Sequence, residues 1–253
     1  MKHCTCLLSG LLALLIPLSA SAGELFVAPT SDEALVFARY LASIQGRDPL
    51  TESGPVAVVI DAWLPSAHKA SRLVTLRDTS DSERSEYLVL NCEGDAAVLT
   101  EVIAPYLVAQ EQLETLPVAS VMITPANYKF HYIGAVGTDD AKAYAFQIAP
   151  KHKRNGLLRG ELWIDGATGT ALVQAGYLVK LPSRVIRRMD VVRHTKLAAD
   201  GSVCARITRI AIELPRKQRA YLTMTEIRPS DAVPTAQPSL AARIPSGPGG
   251  FFR

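Results

Sequence analysis

"YKFHYIGAVGTDDAKAYAFQIAP", residues 128–150, decides how the rest of this chain is read. Large apolar residues fall on every second position: Tyr128, Phe130 and Tyr132 before a Gly-Thr-Asp-Asp step, then Tyr144, Phe146 and Ile148 after it. That alternation marks strands, because successive side chains of a strand point to opposite faces. Gly137-Thr138-Asp139-Asp140 suits a tight turn. The two runs therefore read as a hairpin with one apolar face.

The same grammar continues downstream. Seven strands are predicted, over 127–136, 141–149, 157–165, 170–181, 184–197, 202–214 and 217–227. Their connectors, among them Asp165-Gly166-Ala167-Thr168-Gly169, Pro182-Ser183, Ala199-Asp200-Gly201 and Pro215-Arg216-Lys217, are turn chemistry. Successive hairpins imply an antiparallel meander, and long twisted strands curl toward a barrel or part of one. Leu158, Leu162 and Ile164 alternate with Arg159, Glu161 and Trp163, and Val173, Ala175, Tyr177 and Val179 are expected to extend the apolar face. Lys129, His131, Gln147, Arg159 and Glu161 mark the other.

Upstream, the runs 56–64, 72–78 and 85–91 predict three further strands. Two helices accompany them. The first lies in "APTSDEALVFARYLASIQGRDP", with Thr30 and Glu33 spaced as a capping box and Leu35, Val36, Tyr40, Leu41 and Ile44 at helical intervals. Gly46 and Pro49 are expected to close it. The second begins at Asp95, a plausible cap, and carries Val98, Val102, Ile103, Tyr106 and Leu107. Pro105 sits inside its pattern and should kink or split it, since proline lacks the amide donor. The expected fold is α+β and mainly β: a strongly curved antiparallel sheet, a half-barrel, with about two helices over its concave face. Two helices are a thin cover for such a sheet, and a hydrophobic hollow is expected beneath them.

Length and composition agree with one domain. The chain has 253 residues, 48% of them apolar, enough for a sizeable core. Its formal charge of +3 is small and argues against a nucleic-acid partner. Residues 1–22, "MKHCTCLLSGLLALLIPLSASA", read as a signal peptide: Lys2, an apolar run from Leu7 to Leu18, then Ala20-Ser21-Ala22 as cleavage site. The apolar run is shorter than the ~20 residues needed to span a bilayer. Residues 23–228 are read as one domain, and 229–253, rich in Pro, Gly, Ser and Ala, as a flexible tail. Past the signal two cysteines remain, Cys92 and Cys204, which an oxidising compartment would allow either to bond or to stay as separate thiols.

Catalytic motifs are missing. His68, His131, His152 and His194 stand at no metal-ligand spacing, and there is no Gly-x-Ser-x-Gly elbow or phosphate loop. Asp139-Asp140 and Asp165 are turn residues. The basic clusters, Lys151 to Arg154, Arg187-Arg188 with Arg193 and Lys196, and Arg216-Lys217 with Arg219, are read as solvated faces. No enzyme activity, cofactor or metal is expected.

The stretch from Tyr128 through "RGELWIDGATGTALVQAGYLVKLPS" resembles the central strands of the LolA-like proteins, which sort lipoproteins to the outer membrane from the periplasm. A Tyr-x-Phe strand, then Ala-Tyr-x-Phe-x-Ile-x-Pro-Lys, then Gly160-Glu161-Leu162-Trp163-Ile164-Asp165 carry the resemblance, and "ARITRIAIELPRKQRAYLTMTE" extends it. It implies a half-barrel whose apolar concave side receives acyl chains in the periplasm. On that reading Phe130, Tyr132, Tyr144, Phe146, Leu162 and Ile164 line the site for a lipid or a lipoprotein acyl chain, ordinary core packing being the other role open to them. Partners would be that lipid and inner- or outer-membrane envelope proteins. The same fold also serves as a sensor or protein-interaction module without lipid transport.

Overall fold

A computed structural model describes residues 31–46, 49–50, 54–78, 86–138, 141–181, 186–214 and 218–228. The expected signal peptide and tail lie outside these residues. Helix α1 spans Asp32–Ser43; strands β1 (Val56–Leu64), β2 (Lys69–Asp78) and β3 (Glu86–Gly94) follow. Helices α2 (Ala96–Val98), α3 (Ala104–Glu114) and α4 (Val118–Val121) lead to seven strands: β4 (Tyr128–Val136), β5 (Ala143–Pro150), β6 (Leu158–Asp165), β7 (Ala171–Leu178), β8 (Arg188–Leu197), β9 (Val203–Glu213) and β10 (Arg219–Ile227).

All ten strands join one antiparallel sheet in the order β3-β2-β1-β10-β9-β8-β7-β6-β5-β4. Every pair but one joins sequence neighbours. The exception, β1 with β10, aligns Ile60 with Met224 and splices the two meanders together. β3 and β4 remain as edges, so the sheet is an open half-barrel. Mid-sheet, Gly160 on β6 faces Gly176 on β7. A Cβ at Gly160 would stand 1.9 Å from the Ala175 carbonyl oxygen, so these strands approach as only glycine permits.

The first helix starts one residue later than the capping pattern suggested. Ser31 is the N-cap and makes no side-chain cap bond; Thr30 lies outside the described residues. Asp95 caps α2 as expected, accepting from the amides of Ala97 (2.9 Å) and Val98 (3.4 Å). Pro105 has the predicted effect. Between α2 and α3, Leu99–Ile103 widen into a π-helical turn directly before it, which accommodates a residue that cannot donate.

Two buried clusters result. Val36 and Tyr40 of α1 cover Tyr144, Phe146, Ile148, Leu162 and Ile164 of β5 and β6. Val98, Val102, Ile103 and Tyr106 cover β1, β2 and β8–β10. Helices are scarce for such a sheet. Ten strands at ~4.8 Å spacing and ~3.3 Å per residue offer roughly 1,300 Å² on one face. Helices of ~10 Å diameter and ~1.5 Å rise shade roughly 500 Å² here. Curvature must supply the rest of the cover.

Candidate functional site

Between the two clusters lies a hollow of about 650 Å³. Its floor is the inner face of β6–β9. Its walls are the end of α1 (Tyr40, Ser43, Ile44), the outer turns of α3 (Gln110, Leu113, Glu114) and α4 with the segment after it (Val118, Val121, Met122, Ile123). The walls are tied together by polar contacts. The Tyr40 hydroxyl donates to the Ile123 carbonyl at 2.9 Å. Asn127 Nδ2 donates to the carbonyls of Ala119 (2.7 Å) and Met122 (2.9 Å), which pins α4 in place. Tyr128 accepts from the Leu158 amide at 3.2 Å. Burial raises the pKa of Tyr40, with Tyr128 adding to it, and burial likewise raises those of Tyr106 and Tyr128. These phenols stay neutral hydrogen-bonding groups.

The floor changes character along the strands. Leu158, Leu178, Met189, Val191 and Ile210 make it apolar at one end. Gln174, Arg193 and Thr208, which pair across β7, β8 and β9, form the next row; Thr195 and Arg206 form the one beyond. The Arg193 Nε donates to Thr208 Oγ1 at 3.3 Å. Behind Arg206, Glu226 is 2% exposed and sits between two cations: Arg77 Nη2 at 2.8 Å and Arg206 Nη1 at 3.7 Å. Among the described residues no group of three or more His, Cys, Asp or Glu could hold a metal ion. No helix among them is long and apolar enough to cross a membrane.

The six residues picked from the sequence do share one face. Register places Phe130 against Ile148, Tyr132 against Phe146, Phe146 against Leu162 and Tyr144 against Ile164. None of the six borders the hollow. Tyr144, Phe146, Leu162 and Ile164 are at most 6% exposed beneath α1. Phe130 stacks edge-on with Phe37 of α1 at 4.7 Å. Tyr132, on the edge strand, is 38% exposed. The hollow opens beside them, from the Leu158 end of β6 across β7–β9, where the covers meet.

Two expectations are corrected, and the open alternative for the cysteines is resolved. Val173, Ala175 and Tyr177 do not extend the inner face: register pairs them with Trp163, Glu161 and Arg159, on the outer side, while Gln174 pairs with Leu162. A bulge opposite Trp163 and Ile164 and an almost uniformly apolar β7 hide the parity. Arg193 is not on a solvated face; it shares parity with Met189 and Val191 and faces the hollow, a signal present in "RMDVVRHTKL". Cys92 on β3 and Cys204 on β9 are free thiols. Four strand spacings separate their strands, ~19 Å along the sheet, far beyond the ~7 Å limit for bridged Cα atoms.

No protein-family model matches this chain, and no curated protein matches it in sequence. Solved structures do. A LolA superfamily protein from Nitrosomonas europaea aligns at 11% identity over 77% of this chain and 93% of that one, with a TM-score of 0.37. A DUF1329 family protein from Desulfovibrio piger aligns at 8% identity over 78% and 92%, TM-score 0.34. The MucA/MucB complex of Pseudomonas aeruginosa aligns at 8% identity over 80% and 96%, TM-score 0.24.

Proposed function

We propose that this chain is a non-enzymatic binding protein of the periplasm that holds a lipid or lipoprotein acyl chain in the hollow between α1 and α3–α4. The observation that carries the reading is the hollow itself: about 650 Å³, bounded by apolar side chains of both sheet and helices. Small-molecule sites typically enclose ~300–1,000 Å³. Each methylene buried there contributes ~0.8 kcal/mol, so ten give ~8 kcal/mol before the cost of association. A flexible chain suits an irregular seam better than a rigid ligand does, because it can follow the gap between two separately packed covers. The signal-like segment at residues 1–22 supports export, and the motifs around Gly160–Asp165 resemble those of lipoprotein-sorting proteins.

The test is direct. The exported protein is purified without detergent, extracted into organic solvent and analysed by lipid mass spectrometry. The stripped protein is then titrated with a fluorescent fatty acid. Co-purifying lipid, or saturable uptake at one site, is the expected result. A protein that emerges empty and takes up no probe is not an acyl carrier.

A further inference from the structure

We infer that the occupant of this hollow is an anionic amphiphile, its oxyanion head held between Arg193 and Arg206 while its tail lies over Leu178, Val191 and Ile210. The inference rests on the acyl-binding reading and narrows it to a ligand class.

Among the described residues the charged side chains that border the hollow are Glu114, Arg193 and Arg206. Glu226, behind Arg206, is shared with Arg77. Arg193 and Arg206 thus stand together on the floor of one hollow, where an oxyanion can take up their N–H donors.

Geometry agrees with charge. Arg193 pairs with Thr208, and Arg206 lies two residues before Thr208 on the same strand. Side chains in that diagonal relation start ~7–8 Å apart, within reach of one carboxylate or phosphate between them. Arginine presents several N–H donors in a fixed fork that matches such oxyanions. Thr195 and Gln174 flank the pair with further polar atoms. Along β8 the inner face runs Met189, Val191, Arg193, Thr195, so the apolar stretch and the cationic stretch adjoin within one hollow. An amphiphile has that same sequence of tail and head.

The experiment uses isothermal titration calorimetry on the delipidated protein, below the micelle threshold, with four twelve-carbon probes: dodecanoate, dodecyl phosphate, dodecanol and dodecyltrimethylammonium. Inorganic phosphate serves as the head alone. Both oxyanion probes should bind at least about tenfold tighter than dodecanol, the size of advantage that charged hydrogen bonds supply. The ammonium probe should bind most weakly. Whichever anion binds tighter tells a carboxylate source from a phosphate source. In Arg193→Gln the ratio of dodecanoate to dodecanol affinity should fall toward unity, and Arg193→Lys should restore part of it. Arg206→Met should do the same, with circular dichroism confirming the fold.

Equal affinity for dodecanoate and dodecanol overturns the inference and leaves the acyl-binding reading standing. An anion preference that survives both arginine variants overturns it too, since the head would then sit elsewhere. Tight binding of phosphate alone, with no gain from the alkyl tail, also overturns it. If no probe binds, the acyl-binding reading falls with it.

Discussion

Substituting Glu226→Gln removes one charge with almost no change of shape, at a carboxylate that is 2% exposed and flanked by Arg77 at 2.8 Å and Arg206 at 3.7 Å. At an effective dielectric of ~20 these separations correspond to attractions of about 6 and about 4 kcal/mol, before the carboxylate's own desolvation is subtracted. Breaking a buried pair by removing one partner costs ~3–5 kcal/mol, because the remaining charge keeps its desolvation cost. Here two guanidiniums lose their shared carboxylate. The expected loss is therefore about 4 kcal/mol, or about 10 °C in Tm for a domain of this size. Urea unfolding followed by tryptophan fluorescence reads it, with the slope in denaturant expected to hold steady. Adding Arg77→Met should return part of the loss, since it deletes a guanidinium instead of stranding one beside a neutral amide. A loss below about 1 kcal/mol in the single variant would refute the reasoning. It would mean that water screens this cluster like a surface pair.

Other sites give sharper yes-or-no outcomes. Gly176→Ala should cost about 3 kcal/mol or leave the protein insoluble, because its Cβ would stand 2.2 Å from the Arg159 carbonyl oxygen; unchanged unfolding would mean the strands do not close as described. Tyr40→Phe deletes the donor to the Ile123 carbonyl and should cost about 1–2 kcal/mol in urea unfolding. Asp95→Ala should lower the denaturation midpoint at neutral pH. Lys69 first, then the Ala97 amide, hold the Asp95 carboxyl below the usual carboxylate range. The stability it supplies is present above the unfolded-state pKa and lost as pH falls through the lower folded one, so wild type and variant should converge in strong acid. Thiol titration of the protein cut after Ala22 should find two reactive groups in denaturant with or without reductant, and Cys92 reacting first in the native state.

The strands were legible because each is written twice, once as alternation and once as the turn that ends it. β1, β4, β6 and β10 begin and end within about two residues of where those signals place them. Pro105 and Asp95 were legible for the same local reason. What escaped was anything fixed by distant pairing. The splice of β1 to β10 joins residues more than 150 positions apart and leaves no local mark. The site escaped through parity. β7 carries apolar residues on both faces, and its bulge shifts the count by one, so Val173 and Tyr177 read as inward when Gln174 is. Aromatic Tyr144 and Phe146 drew attention as a lining, yet large flat rings are what α1 needs to pack against, and they end up sealed beneath it.

The hollow and the arginines are best understood as one feature. A sealed, dry core is a costly place for Arg193 and Arg206 where they stand, on the floor beneath two helices, because burial strips guanidiniums of their hydration. An empty apolar cleft of this size would not need them. Both become intelligible if the seam is normally wet or occupied: water, or the polar end of a ligand, solvates the row at Arg193 and Arg206, while the rows at Val191 and Met189 accept apolar contact. The polarity of the floor then follows the pleat of β8, and the space above it follows from a sheet wider than its helices can shade. Filling that space by Val121→Trp, on the wall opposite the floor, tests the link. It should abolish acyl uptake while the Glu226 cluster continues to set the unfolding free energy. Uptake that persists at full affinity would place the ligand outside the hollow.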